Sequence, residues 1–495
     1  MHTSLILDMA ADGLGDRPAV TEPGGSITYA ELRERSQRLA SALTGEGSVG
    51  LIDVNSSAVA ELLFAAGLAG RPFLPFNYRL DDGHLAMLIA RSAPMTVFVG
   101  ADHRPRAEGI DGVDVVDASE RHTLEPAADG ISAFPDADGV AALLFTSGTT
   151  GEPKAAVLRH RNLAAYVLST VEFASAGASE ATLVSVPPYH IAGISVVLTS
   201  VYAGRRLVYL PAFDPATWVD TVEREAVTHA MVVPTMLDRI VDEMQRTGRS
   251  LPSLRHMSYG GGRMPVPVLE RAMSVLPHVD FVNAYGLTET SSTIAVLTPD
   301  DHRIAIASSD PVVRQRLGSV GRPLPSVQVE VRDPIGEAVG SGERGEIWVR
   351  GEQVSGEYLG QRAISADGWF PTRDAGHLDA DGYLYVEGRL DDVIVRGAEN
   401  LSPGEIEDVL REHPAVDDVA VVGIPDDEWG EVPAAVVVLR EGAACDAAEL
   451  QQFVRGQLRS ARTPAVVSFV TELPYNDMGK LLRRRLRPML EQPSR

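Results

Sequence analysis

Residues 143–154, Leu143-Leu-Phe-Thr-Ser-Gly-Thr-Thr-Gly-Glu-Pro-Lys154, constrain this chain more than any other stretch. The apolar run 140–145 has the length and composition of a buried strand, and it stops at a loop of hydroxyls and glycines. Gly148 and Gly151 admit the positive-φ conformations that turn successive backbone N–H groups toward one anion. Thr146, Ser147, Thr149 and Thr150 add hydroxyl donors, and Lys154 adds a positive charge. By composition this is a phosphate cradle at the end of a strand. It is not a Walker A loop, which places Ser or Thr after its Lys, because Ala155 follows Lys154 and Pro153 precedes it. The other reading open to such a run is a Ser/Thr/Gly-rich surface turn.

The flanking sequence alternates helical and strand patterns, which predicts α/β architecture with parallel sheets. Thr28-Tyr-Ala-Glu31 is a capping box opening a helix whose Leu32, Leu39, Ala40 and Leu43 share one face. Residues 50–54 and 95–99 read as strands around a helix over 57–68. Beyond the loop, 162–173 reads as a helix, and 183–186, 229–233, 254–259 and 281–284 as strands. Residues 234–244 read as a helix with Pro234 at its start. Several of these strands end in glycine, at Gly260-Gly-Gly262 and Gly286, and ligands of open α/β sheets gather at such carboxyl ends. From about residue 323 the pattern changes to short strands with turns, predicting a β-rich subdomain. The last hundred or so residues read as a compact α+β unit, with helices over 403–410 and 447–458 and strands over 419–423 and 434–439.

A chain of 495 residues exceeds a single core and should divide into domains. With 44% apolar and 23% charged residues it reads as an ordinary globular protein without a membrane span or export signal. The one cysteine, Cys445, rules out an internal disulfide framework and a Cys-rich zinc site, so a cytoplasmic location is expected. Cys445 reads as a packing residue before a reactive thiol. A formal charge of −24 argues against a nucleic-acid partner but leaves room for a nucleotide in a locally positive pocket. Arg483-Arg484-Arg485 reads as a solvated face.

Three further runs carry chemistry. In Asn283-Ala-Tyr-Gly-Leu-Thr-Glu-Thr290, Tyr285 can stack a base, Thr288 can meet a phosphate and Glu289 can hold Mg²⁺, which favours one or two carboxylates with substrate phosphates. A plain strand followed by a helix start is the other reading. In the run 372–389, Asp374 can accept ribose hydroxyls and Arg389 brings a fixed positive charge, whereas Asp379, Asp381 and Gly382 read as a hairpin turn. The third run, Leu473-Pro-Tyr-Asn-Asp-Met-Gly-Lys480, places Lys480 on a loop, where any lone lysine is by default a surface residue.

The run Thr146-Ser-Gly-Thr-Thr-Gly-Glu-Pro-Lys154 resembles the phosphate loop of the adenylate-forming enzymes, which include acyl-CoA synthetases, the adenylation domains of peptide synthetases, and luciferases. Ala155 departs from the glycine usual there. The later runs occur in that family's order, so the chain is similar to its acid–CoA ligase branch along nearly its whole length. The resemblance implies a domain 1–388 holding ATP and the acid, a hinge at 389–394 centred on Asp391, and a mobile domain 395–495 carrying Lys480. It implies that Thr146, Ser147, Gly148, Thr149, Thr150 and Lys154 cradle phosphate, and that Gly261, Gly262, Asn283, Ala284, Tyr285 and Gly286 surround the nucleotide. By the same resemblance Asp374 holds the ribose, Arg389 contacts ribose or phosphate, Thr288 meets the phosphate, and Glu289 serves the metal. Lys480 would then swing in to the carboxylate and the α-phosphate.

The reaction so implied is attack of a carboxylate on the α-phosphate of Mg·ATP, giving an acyl-adenylate and pyrophosphate. Thiol capture by CoA follows; the alternative is a stand-alone adenylating enzyme that loads the pantetheine of a carrier protein in trans or stops at the acyl-adenylate. The acid pocket is expected around His190, Gly193, Val233, Pro234, Gly260 and Gly261, although a lone His190 is equally open to a structural reading. At Gly262-Arg263 the family more often has Ala-Pro, and loss of that methyl favours a bulky, cyclic or aryl acid. From a different class, a non-catalytic nucleotide-binding descendant of the fold is the remaining reading, against which both lysines argue. Monomer and homodimer both remain open.

Overall fold

The computed structural model describes residues 1–22, 25–126, 136–146, 153–397, 399–426, 428–458, 460–475 and 481–490. Two large sheets carry the first part of the chain. In one, the strands Val113–Asp117, Met95–Val99, Ser48–Ile52, Phe73–Pro75 and Val140–Thr146 run parallel, in that order. In the other, Pro18–Glu22, Arg206–Tyr209, Ala181–Val184, His229–Val232, His256–Gly260 and Asp280–Leu287 run parallel. These central strands are apolar on both faces because helices cover both, as the uninterrupted burial of Ser48–Ile52 and Ala181–Val184 shows.

The helix Tyr29–Ala42 opens with the expected capping box between Thr28 and Glu31. The helix Ser57–Leu68 is buried on nearly all sides, so its sequence is apolar all round instead of striped. Pro234–Thr247 begins at its proline as anticipated.

A third sheet, wholly antiparallel, comprises Gln328–Arg332, Gly345–Arg350, Phe370–Leu378 and Leu384–Arg389. It is the expected β-rich subdomain, with its own core around Ile347, Val349, Phe370 and Leu384. Asp379 to Tyr383 form the expected hairpin turn, with Gly382 at φ +81°. A fourth sheet begins at Ile394–Arg396 and includes Val416–Asp426, Gly430–Leu439 and Val466–Val470, with the helices Pro403–Arg411 and Ala447–Gln457 packed on it. Between the third and fourth sheets lies a single 3₁₀ turn, Leu390–Asp392, which contains the exposed Asp391.

One expectation is overturned here. Arg483 is not part of a solvated basic face: its guanidinium grips the buried Glu407 with two hydrogen bonds of 2.6 and 3.0 Å. Arg484 and Arg485 are exposed, as read. Cys445 packs at the edge of the C-terminal core, and burial with the Glu449 carboxylate beside it pushes its thiol up to about 11, so it stays protonated near neutrality.

Candidate active site

The strand Val140–Thr146 pairs antiparallel with the next described strand, Lys154–Arg159, so the two form a hairpin. Thr146 faces Lys154 across the ladder at the base of that hairpin. Ser147, Gly148, Thr149 and Thr150 lie outside the described residues, as does Lys480.

Next in the other sheet, Asp280–Leu287 ends in a sharply bulged pairing with Ser292–Leu297 between Tyr285 and Gly286. A Cβ at Gly286 would overlap the Ser292 carbonyl oxygen, so only glycine allows this approach. The turn Thr288–Thr290 that follows is clamped hard. Gln353 donates to the carbonyls of Thr290 (3.1 Å) and Thr293 (2.7 Å), and the N–H groups of Ser355 and Gly356 both bond the Glu289 carbonyl. Ser291 and Ser292 take positive φ values of 55° and 109°, a strained pair of the kind that clusters at functional turns.

Tyr285 and Asp374 meet across two sheets. The phenol donates to Asp374 Oδ2 at 2.6 Å, and burial together with that carboxylate pushes the phenol well above its ordinary pKa. Arg389 faces Asp374 directly in the antiparallel ladder, with its Nε 3.2 Å from Oδ1, and donates to the Thr372 carbonyl at 2.7 Å. Three of the residues expected around the nucleotide therefore form one bonded unit. Asn283 is buried and donates to the Ser319 carbonyl at 3.2 Å, so its amide is a structural tie in this arrangement.

Glu289 is 7% exposed, and among the described residues no Lys or Arg lies within ion-pair distance of it. A buried carboxylate without a cationic partner is costly unless a cation completes it, which fits a Mg²⁺ bound by one carboxylate and substrate oxygens. Its Oε1 accepts a 2.6 Å hydrogen bond from Tyr358, whose ring also lies 5.6 Å below the Lys154 ammonium.

A cavity of about 430 Å³ opens at the carboxyl ends of Ala181–Val184, Arg206–Tyr209 and His229–Val232. Its walls include Tyr78, Pro187, Phe213, Val233 and, from the C-terminal unit, Tyr475. Of the expected acid-pocket residues only Val233 lines it. Gly261 packs behind Val233 at 3.5 Å, measured from where a Cβ would stand, and a Cβ at Gly193 would crowd the Pro187 carbonyl at 2.7 Å. Gly260 has no room for a side chain against the Ala284 carbonyl. His190 stands at the N-cap position of Ile191–Ala203 without a side-chain capping bond, and its ring lies tilted 4.5 Å from that of Tyr189, which meets Tyr78 edge-on at 5.6 Å.

Gly262 lies 3.8 Å from the Pro234 ring by the same measure. Arg263 turns away from the cavity and pairs with Asp408 of the C-terminal unit. Sequence reading missed Tyr358, Gln353 and Arg263 as parts of this region. The glycines bracketing Gly356-Glu-Tyr-Leu-Gly360 were the one visible sign that a tight turn presents Tyr358.

A hairpin bearing the hydroxyl-rich run, a Tyr–Asp–Arg unit and a buried carboxylate with no Lys or Arg beside it among the described residues, set at the ends of paired α/β sheets, fit an adenylate-forming enzyme. The chain belongs to the AMP-binding enzyme family: that family matches residues 7–359, and the AMP-binding enzyme C-terminal domain matches residues 405–480. It is 35% identical to a feruloyl-CoA synthase of an Amycolatopsis species over 95% of each chain. It is 32% identical to the indoleacetate–CoA ligase of Aromatoleum aromaticum over 99% of this chain and 98% of the other. The o-succinylbenzoate CoA synthetase of Bacillus subtilis, solved with its acyl-adenylate intermediate, superposes with a TM-score of 0.85 at 29% identity, covering 97% of both chains. This chain is an AMP-forming acid–CoA ligase, which converts a carboxylic acid to its acyl-adenylate with ATP and passes the acyl group to the thiol of coenzyme A. No helix among the described residues is long and apolar enough to cross a membrane.

Proposed function

We propose that the acid is aromatic, an aryl or arylalkanoic carboxylate, and that the residues above carry the roles their geometry suits. The observation that carries this reading is the cavity: aromatic side chains Tyr78 and Phe213 line it, at the carboxyl ends of strands in the same sheet as Asp280–Leu287, which bears Tyr285. Three relatives named for aromatic acids support it.

In this reading Asp374 and Arg389 hold the ribose and Tyr285 lies against the adenine. The loop 146–154 with Lys154 takes the β- and γ-phosphates. The acid's carboxylate oxygen attacks the α-phosphorus in line, and pyrophosphate leaves with the bonding electrons. A magnesium ion at Glu289 would offset the repulsion between the two anions. Lys480 supplies a second compact charge at the reacting oxygens. We read 1–388 as the domain for this step, 389–394 as the hinge and 395–495 as the unit that turns about it.

The test is pyrophosphate release across a panel of cinnamic, benzoic, indolyl and straight-chain acids, with and without CoA. Aryl acids should give the highest kcat/KM, together with an acyl-CoA product. A preference for straight-chain acids would overturn the substrate class. An adenylate that CoA does not capture would favour a carrier-protein pantetheine as acceptor. Gly262→Ala tests the expectation that the missing methyl enlarges the acid site: a Cβ there would stand 3.8 Å from the Pro234 ring, so folding is kept, while kcat/KM for the bulkiest acid should fall about fivefold relative to benzoate.

A further inference from the structure

The segment 353–359 is bonded to both halves of the phosphate site, although no function has been attached to it. Its strand Glu357–Tyr358 pairs antiparallel with the return strand of the hairpin, Tyr358 opposite Ala156, and the Leu359 N–H bonds the Ala155 carbonyl at 2.9 Å. One end of the segment therefore rides on the residues next to Lys154. Its other end grips the Glu289 turn: Ser355 N–H (2.8 Å), Ser355 Oγ (3.1 Å) and Gly356 N–H (3.1 Å) all reach the Glu289 carbonyl oxygen.

Tyr358 links these two attachments through one side chain. Its hydroxyl donates to Glu289 Oε1 at 2.6 Å, a short bond to a charged acceptor, and its ring carries the Lys154 ammonium at 5.6 Å from the centroid. We infer that Tyr358 is a positioning residue for the phosphate site, orienting the Glu289 carboxylate for a divalent cation and the Lys154 ammonium for the phosphates. The inference rests on the reading of Glu289 as the metal carboxylate.

The physical reason is that a carboxylate free to rotate presents either oxygen, or both, to a cation. With Oε1 held by a donor, Oε2 faces the metal in one geometry, and a buried hydrogen bond keeps that geometry without reorganisation when nucleotide enters. Lysine has no directional preference of its own, so an aromatic face beneath it restricts where its charge rests. One tyrosine thus sets the spacing between the two positive charges that must share the triphosphate.

The experiment uses the full chain with Mn²⁺ in place of Mg²⁺ and a non-hydrolysable ATP analogue. Free Mn²⁺ is followed by electron paramagnetic resonance, and metal-free nucleotide binding by calorimetry in the presence of chelator. Tyr358→Phe keeps the ring and removes the hydroxyl. It should weaken Mn²⁺ uptake into the ternary complex about tenfold while leaving metal-free nucleotide affinity unchanged, with a lowered melting temperature because the buried Glu289 oxygen loses its donor. Tyr358→Leu should show the same metal defect and, in addition, weaken metal-free nucleotide binding about threefold through Lys154.

Unchanged Mn²⁺ uptake in Tyr358→Phe would overturn the inference. So would an equal fall in metal-dependent and metal-free binding, since that marks a merely structural residue. If the unaltered protein takes up no Mn²⁺ with the nucleotide analogue, the reading of Glu289 itself fails. A normal ternary complex that Tyr358→Phe leaves intact removes only the tyrosine's role.

Discussion

Asp374→Ala is expected to raise the KM for ATP by about two orders of magnitude and to destabilise the protein by ~2–4 kcal/mol. Both effects come from one carboxylate with two tasks. In the structure Oδ2 accepts from the Tyr285 phenol and Oδ1 lies 3.2 Å from Arg389 Nε. A carboxylate oxygen accepts more than one hydrogen bond, so each keeps capacity for a ribose hydroxyl. Removing it leaves a half-buried phenol without its acceptor and Arg389 with only the Thr372 carbonyl. Each uncompensated group costs about 1–3 kcal/mol, and the lower end applies to Arg389, whose side chain is 36% exposed. Two charge-assisted bonds to ribose, at about 1.5 kcal/mol each, account for the hundredfold loss in nucleotide binding. Asp374→Asn separates the two: it keeps an acceptor for Tyr285 and should recover part of the stability, but not the ATP KM. A folded Asp374→Ala variant with unchanged ATP KM would remove this residue from the ribose site.

What the sequence disclosed and what it hid divide along a physical line. Local signals were legible. The capping box at Thr28 and Glu31, Pro234 at a helix start, the hairpin turn at Gly382 and the helix Ser57–Leu68 all depend on residues close in the chain. Strand bounds drifted by about two residues, as with 50–54 against the observed Ser48–Ile52, because an apolar run does not mark where pairing begins. The return strand Lys154–Arg159 went unread because Lys-Ala-Ala-Val-Leu-Arg has little β-propensity, and its pairing is imposed by the neighbouring strand. The helix Ile191–Ala203 is buried on almost every side, so it shows no stripe to recognise.

The site divides in the same way. Tyr285, Asp374 and Arg389 were identifiable because each sits in a run whose composition suits nucleotide chemistry, yet nothing local says that Tyr285 reaches across 89 residues to Asp374. Tyr358 is the complementary case. Its partners, Glu289 and Lys154, lie 69 and 204 positions upstream and were both marked as functional, while the tyrosine joining them stands in an unremarkable turn. Arg263 was noticed only as a departure from the usual Ala-Pro, with no role given to it. Its neighbour Asp408 belongs to a different unit, and no pattern in the sequence could supply that pairing.

Glu407→Gln is expected to destabilise the C-terminal unit by ~3 kcal/mol and to slow adenylation more than thiol capture. Glu407 is buried on the helix Pro403–Arg411 and accepts two bonds from Arg483 and one from the Val421 N–H at 2.8 Å. Burial alone would push its carboxyl up, but Arg483, with help from Arg411 and the backbone donor, more than offsets that and holds it below the usual range. A carboxyl with a depressed folded-state pKa contributes stability that is fully present above its unfolded value of about 4.5 and is lost as pH falls through the folded value. Protection factors for hydrogen exchange in the strands Val416–Asp426 and Gly430–Leu439, corrected for the intrinsic rate at each pH, should therefore fall below about pH 4.5 in the unaltered protein. In Glu407→Gln the protection should be lower at pH 7 and should change less on acidification. The link to catalysis is the chain between residues 475 and 481. Tyr475 bonds Asp418 at 2.6 Å and bridges to Leu481, the Leu482 N–H bonds the Pro474 carbonyl, and Arg483 fastens the outgoing chain to Glu407. In the proposed reading Lys480 serves the adenylation step, so loosening the fastening of the residues that flank it, Tyr475 and Leu481, should slow pyrophosphate release. Thiol capture from preformed acyl-adenylate, which in that reading does not use Lys480, should fall less. Equal losses in both half-reactions would show that the clamp supports the unit as a whole and has no particular hold on the lysine.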